Sequence, residues 1–342
     1  MGRFAGQRQG RGLFRVFGSV IVTVFGLLAL TFFIGRVLPL DPVIAVLGDD
    51  YDPAAYDRVY RELGLDKPLY EQFGIYVANV VQGDFGNAVL TGRPVMQDIA
   101  RVFPATLELA TAAILIAVLI GVPLGVMAAV YRGTILDHVT RVITLLGFSA
   151  PVFWLALMGL VVFYAALGWV GGPGRQSVFY LDLVPSVTGI LLIDALLAGD
   201  MEVFWDGVRH LVLPASVLGY TSMAYIARMT RSFMLEQLTQ EYILTARIKG
   251  LSKFDVVWHH AFKNIRVQLL TITALAYGGL LDGAVLVETV FAWPGFGQYL
   301  VNGLLIGDMN AVLGCTFIIG LIFIGLNLIS DLLYRVFDPR TR

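Results

Sequence analysis

Six long runs of this chain carry no lysine or arginine, and that pattern limits the fold more than any other feature. The runs are Val16–Gly35, Leu109–Tyr131, Val142–Val170, Leu211–Ala227, Val267–Val287 and Met309–Ser330, with Asp282 the one acid in the fifth. About 20 apolar residues cross a bilayer as a helix. The expected fold class is therefore all-α: a polytopic membrane protein with six transmembrane helices. Composition agrees, with 57% hydrophobic and 14% charged residues, where soluble domains carry roughly 25% charge. Mean hydropathy is +0.77. The run Leu183–Ile193 is too short to cross and is followed by Asp194, so it reads as a surface-lying or partly inserted helix. Arginines precede the first run, no small-x-small cleavage site follows it, and it reads as an anchor. A net charge of −1 argues against a nucleic-acid partner, and the lone Cys315 excludes an internal disulfide.

Lysine and arginine set the expected orientation. With a cytoplasmic N-terminus, the inside segments hold 16 of the 24 basic residues, and the last outside loop, Glu288–Asp308, holds none. The positive-inside rule then places both termini in the cytoplasm, and with them the polar stretch Glu241–Asn264. The outside stretch 36–101 has six basic and ten acidic residues, a net charge of −4. It reads as a small solvated helical cap: Pro53–Leu63 ended by Gly64, Leu69–Gln82 ended by Gly83, and a third helix with Pro94 in its first turn.

The stretch EYILTARIKGLSKFDVVWHHAFKN, Glu241–Asn264, is polar where its surroundings are apolar. Thr239 is expected to cap a helix with Gln240 and Glu241 in its first turn and Arg247 and Lys249 in its last. Gly250 falls where a left-handed residue closes a helix. Ser252, with Asp255 three residues on, then opens a second helix. Such a hairpin either covers the end of the bundle or docks a soluble partner.

Other ionisable groups near or within spans are Glu108, Asp282 and Glu288, and such groups are functional candidates by default. Asp282 faces either the bundle interior or a water-filled path; a structural hydrogen bond is the bland alternative. His259 and His260 point about 100° apart on a helix, with no acid or cysteine at ligand spacing, so no metal site is expected. Trp293, Pro294 and the glycines of WPGFG form an outside turn or an interfacial aromatic anchor.

Within Glu241–Asn264, Ala246 and Gly250 stand where the coupling-helix motif of ABC importer permeases has its alanine and, four residues later, its glycine. EYILTARIKGLS in particular resembles the B-type subunit of the dipeptide/oligopeptide permease family. So do LGLDKPLYEQF, GDFGNAVLTGRPV, FPATLELA, TGILLIDALLAGD, ETVFAWPGFGQYLVNGLLIGD and NLISDLLYRVFDPR, together spanning nearly all of residues 14–340. One departure is Gln268, in NIRVQLL, near where the family often has a proline.

The resemblance implies a non-catalytic permease subunit with the type I ABC importer fold, in a bacterial cytoplasmic (inner) membrane. Its divisions would be residues 1–35 (N-terminus and first span), 36–102 (external cap), 103–334 (core with five spans and the coupling loop 239–264) and 335–342 (cytoplasmic tail). Its partners would be a second, homologous permease, two ATP-binding cassette ATPases, an external or periplasmic solute-binding protein, a di- or oligopeptide, and membrane lipid. ATP and magnesium would be bound by the ATPases, and this chain has no GxxxxGK[ST] phosphate loop of its own. The implied ATPase-coupling residues are Glu241, Thr245, Ala246, Arg247, Lys249, Gly250 and Ser252; candidates for the translocation path are Asp282, Glu108 and Glu288. The alternatives are another cargo (a nickel chelate, a glutathione-like or an opine-type compound) or an ion-coupled secondary transporter.

Overall fold

The computed structural model describes residues 3–37, 42–47, 52–62 and 64–337, with side chains described for all of these except 3–17, 36–37, 42, 45–46, 282 and 330–337. Among the described residues the regular structure is helical, apart from one isolated bridge between Asn87 and Pro94. The chain divides into two compact units, Met1–Arg101 with Tyr299–Gly325 and Val102–Gln298 with Leu326–Arg342.

The first unit begins with helix α1, Arg3–Val37, which holds the first expected span. The short helices α2, Pro42–Leu47, and α3, Pro53–Glu62, follow, then α4, Leu69–Val81. Gly64 and Gly83 close α3 and α4 with φ of +65° and +77°, as their positions after apolar-periodic runs predict. Phe73 of α4 meets the rings of Phe25 and Phe32 edge-on, and Tyr76 shares a 2.8 Å hydrogen bond with buried Thr31, so α4 is fastened along α1. The helix expected to start near Pro94 is not a separate external element. It is the opening of α5, Val95–Val130, which runs on without a break through the second expected span. In the same unit Asp308 caps α13, Met309–Phe337, by accepting from the Ala311 N–H at 3.1 Å, and it also accepts from Val89 N–H at 2.6 Å.

The second unit is a helical bundle. Its α6, Ile135–Ser149, and α7, Val152–Gly159, the latter prolonged by a π-helical turn Leu160–Ala166, replace the single span expected over Val142–Val170. The two pieces are bent by 103°. Pro151 is the cause: it has no N–H to give and holds Ala150 in an extended conformation, with ψ of 128°. The short helix expected at Leu183–Ile193 forms later in the chain, as α8, Leu191–Ala198. Next comes α9, Met201–Leu238, packed against α6, α7, α8 and the later helix α11, Phe262–Val290. Between them lie α10, Glu241–Ile248, and a π-helical turn, Asp255–Ala261. After α11 comes α12, Phe296–Ile306, of which only residues 296–298 belong to this unit.

Helices α5 and α9 approach through small residues. A Cβ at Gly125 would lie 2.5 Å from the Ala227 carbonyl oxygen, and one at Gly219 would lie 2.7 Å from that of Ala113. Lipid tails are as apolar as leucine, so contact at this range, rather than expulsion from water, holds such helices together.

Among the described residues, Gly18–Gly35, Val95–Val130 and Met309–Ile329 can cross a membrane by length and hydropathy, and the bent pairs Ile135–Ser149 with Val152–Ala166 and Asp255–Leu281 with Gly283–Val290 raise the number to five. Helix α9, which holds the expected span Leu211–Ala227, is not apolar enough to join them. Its middle is enclosed by its neighbours, from Leu211 through Leu213, Val217 and Ser222 to Ala227. Packing rather than lipid sets its composition.

Candidate functional site

The polar hairpin leaves the bundle at the end of α9. Thr239 closes α9 rather than opening the next helix: its hydroxyl donates back to the Glu236 carbonyl at 2.8 Å. The residue that precedes α10 is Gln240, which provides no side-chain cap. Thr239 was expected to cap the first helix of the hairpin, but the Glu236 carbonyl, three residues upstream in α9, offers its hydroxyl a nearer acceptor.

The corner itself follows the sequence. Gly250 has φ of +78°, its N–H donates to Arg247 C=O at 3.0 Å, and Leu251 N–H donates to Ala246 C=O at 3.3 Å. This paired closure satisfies the last carbonyls of α10. No atom lies within 4 Å of a Cβ built at Gly250, so backbone conformation, not crowding inside the chain, demands glycine there. Beyond the corner, Asp255 N–H donates to Ser252 Oγ at 3.1 Å, and the Ser252 hydroxyl donates to Asp255 Oδ2 at 2.5 Å. The same carboxylate lies 3.1 Å from His259 Nδ1, at an exposed position.

The hairpin has an inner and an outer face. Ile243 and Ala246 are buried with Val126 and Ala129 of α5, Met234 of α9, and Val256, Val257 and Ala261. Ala246 thus seats α10 on the bundle. Glu241, Thr245, Arg247, Lys249, Gly250 and Ser252 lie on the exposed side. Apolar side chains accompany them: Ile248 is 76% exposed, Phe254 64% and Leu244 60%.

The acids singled out from the sequence lie elsewhere. Glu288 is fully buried. It accepts from Thr106 Oγ1 at 2.6 Å, Gly297 N–H at 2.7 Å and Gln298 N–H at 3.0 Å, the last two in the first turn of α12. Thr106 Oγ1 in turn accepts from Phe296 N–H at 2.8 Å, and Trp293 Nε1 donates to Ala105 C=O at 2.9 Å. A Cβ on Gly295 would sit 2.5 Å from the Glu288 carboxylate. The WPGFG turn is therefore wrapped around this carboxylate and pinned to α5. Glu108 is likewise engaged: it accepts from Arg175 Nε at 2.8 Å and from Leu192 N–H, at the start of α8, at 2.9 Å. Both carboxylates serve enclosed structural contacts. The Asp282 backbone belongs to α11, and its side chain lies outside the described residues.

One cluster escaped the sequence reading. Asp137, completely buried at the start of α6, receives two guanidinium forks. Arg231 of α9 donates from Nε at 2.7 Å and from a terminal nitrogen at 3.1 Å, and Arg141 donates at 3.2 and 2.5 Å. Gly133 N–H adds a fifth bond at 3.0 Å. The available signal was the Asp137–Arg141 spacing of four, which puts acid and base on one helix face.

Residues 121–342 match the family described as binding-protein-dependent transport system inner membrane component, and residues 11–110 match its N-terminal membrane component. The chain belongs to this family of membrane-embedded transport permeases. It is 44% identical over 326 residues, 95% of both chains, to a probable D,D-dipeptide transport system permease protein, DdpB, of Escherichia coli K12. To the di/tripeptide transport system permease protein DppB of Pseudomonas aeruginosa it is 43% identical, over 96% of this chain and 97% of the relative. The dipeptide transport system permease protein DppB of Escherichia coli K12 is 40% identical over 96% of this chain and 98% of its own length.

Proposed function

We propose that this chain forms one half of the translocation path of an ATP-driven importer of di- and oligopeptides, and that residues 241–264 are where the ATPases grip it. The cargo reading is supported by whole-length similarity to permeases named for dipeptides and tripeptides. The coupling reading is carried by one observation: a stiffly cornered hairpin whose inner face is seated in the bundle and whose outer face offers Leu244, Ile248 and Phe254 among cations. A second, homologous permease completes the path, two ATPases bind ATP and magnesium, and an external binding protein delivers the peptide. The bundle has six spans with both termini cytoplasmic, α9 being the span shielded from lipid. ATP binding draws the ATPases together, the hairpins move as levers, and the spans rock between two packings. Docking of loaded binding protein and binding of ATP each favour one packing, which is what lets them shift the balance. Asp282, Glu108 and Glu288 are the acids assigned to the path.

The test is Gly250→Val in the complete transporter in vesicles. Any other residue at this φ costs roughly 1–2 kcal/mol, and the added side chain points at the partner. The variant is expected to insert and to pair with the second permease, while the ATPases either fail to copurify or hydrolyse ATP without responding to loaded binding protein. Normal uptake and normal stimulation would reduce the hairpin to a lid. Competition of labelled dipeptide uptake by longer peptides, nickel chelates, glutathione and opines decides the cargo.

A further inference from the structure

We infer that Asp137 is a positioning residue that transmits movement of the 241–264 hairpin into the bundle, by clamping α9 to the α5–α6 turn just above the hairpin. The inference rests on the coupling role proposed for that hairpin. Arg231 stands seven residues before the end of α9 at Leu238, so the clamp lies roughly 10 Å up the helical shaft that carries the hairpin. At the same level α9 is locked to α5 as well. Thr230 and Met234 are completely buried, and a Cβ on Gly125 would lie 2.6 Å from Thr230 Cβ. Displacement of the hairpin is thus delivered to three helices at one point rather than lost in bending of α9.

One enclosed carboxylate is shared by two arginines, so the cluster keeps an excess positive charge, and the two forks are not equivalent. The Arg231 side chain is 22% exposed and crosses from another helix, whereas that of Arg141 is 51% exposed and comes from the next turn of the same helix. Only the Arg231 fork joins α9 to α6. Bidentate pairing fixes orientation as well as distance, which a single hydrogen bond does not.

The experiment measures peptide moved per ATP hydrolysed by the reconstituted complex, with the amount of assembled complex recorded for each variant. Asp137→Asn and Arg231→Gln are each expected to lower the ratio about tenfold, within the usual span of coupling effects, and the double variant to be no worse than either. Arg141→Gln is expected to leave the ratio near that of the parent. Arg231→Lys, which keeps the charge at a partly exposed position but loses the fork, is expected to lower the ratio with assembly intact; it decides the matter if Asp137→Asn does not assemble. A role in folding alone would reduce uptake and hydrolysis together, leaving the ratio unchanged, and that result overturns the inference. An effect of Arg141→Gln equal to that of Arg231→Gln also overturns it. Gly250→Val measured in parallel separates the two readings: uncoupling there with normal coupling in the Asp137 and Arg231 variants refutes the clamp alone, whereas normal coupling in Gly250→Val refutes the hairpin's role.

Discussion

Replacing Thr106 by valine keeps the shape of the side chain and removes the oxygen that links the WPGFG turn and Glu288 to α5. Two hydrogen bonds go with it, the 2.6 Å donation to Glu288 Oε1 and the 2.8 Å acceptance from Phe296 N–H. Thr106 is 2% exposed and Glu288 fully enclosed, so no water is at hand to replace the lost oxygen. An orphaned buried N–H costs about 1–3 kcal/mol, and a bond to a charged group contributes about 1.5–3 kcal/mol. Glu288 Oε2 keeps its donors from Gly297 and Gln298, so the cost falls at about 3–5 kcal/mol. Thr106→Ser keeps the hydroxyl and loses one methyl group, worth about 1 kcal/mol. The assay is thermal unfolding of the purified permease in detergent, read by intrinsic tryptophan fluorescence, which Trp293 itself reports. Thr106→Val is expected to melt well below Thr106→Ser, with the parent highest. A valine variant at least as stable as the serine variant would refute the account of the turn as built on this oxygen.

Gly125→Val should separate α5 from α9, because a Cβ there would fall 2.5 Å from a backbone oxygen that cannot swing away; the measurement is the yield of monodisperse permease, expected to fall severely, while Gly18→Val, in open space, changes nothing. Cysteines introduced at Asp57 and at Lys253 are expected to react with an impermeant thiol reagent from opposite sides of the membrane, and labelling of both from one side would end the six-span arrangement. Asp282→Leu is expected to depress peptide uptake, and Asp282→Asn to do so less, since an amide retains hydrogen bonding; full uptake by the leucine variant removes Asp282 from the path.

What was legible in the sequence was local. The glycine after Lys249, the Ser252–Asp255 spacing and the glycines ending α3 and α4 each specify a conformation through neighbours a few residues away, and the structure has them there. Pro151 was also legible in principle, but an uncharged run was read through it, because hydropathy does not register a missing N–H. The interior of α9 was not legible: its polar and small residues make sense only once the surrounding helices are in place. The same holds for the acids. A sequence shows that Glu288 and Glu108 are ionisable and near spans, but not that their partners are Thr106 and Arg175, far away in the chain. Asp137 was overlooked because its decisive contact, Arg231, lies 94 residues downstream.

The Glu288 turn also bears on how such a chain is made. Its carboxylate is satisfied by a hydroxyl synthesised 182 residues earlier. At about 5–20 residues per second, roughly 9–36 s pass between the emergence of the two groups from the ribosome. Throughout that interval the hydroxyl of Thr106 and the carbonyl of Ala105 wait without their final partners, while the segment bearing Glu288 is not yet in the bilayer. Gly297 and Gln298, made moments later, can satisfy one oxygen of Glu288, but the other has no donor until α5 lies alongside. For this clasp to close, a helix made early has to stay within reach of a turn made late.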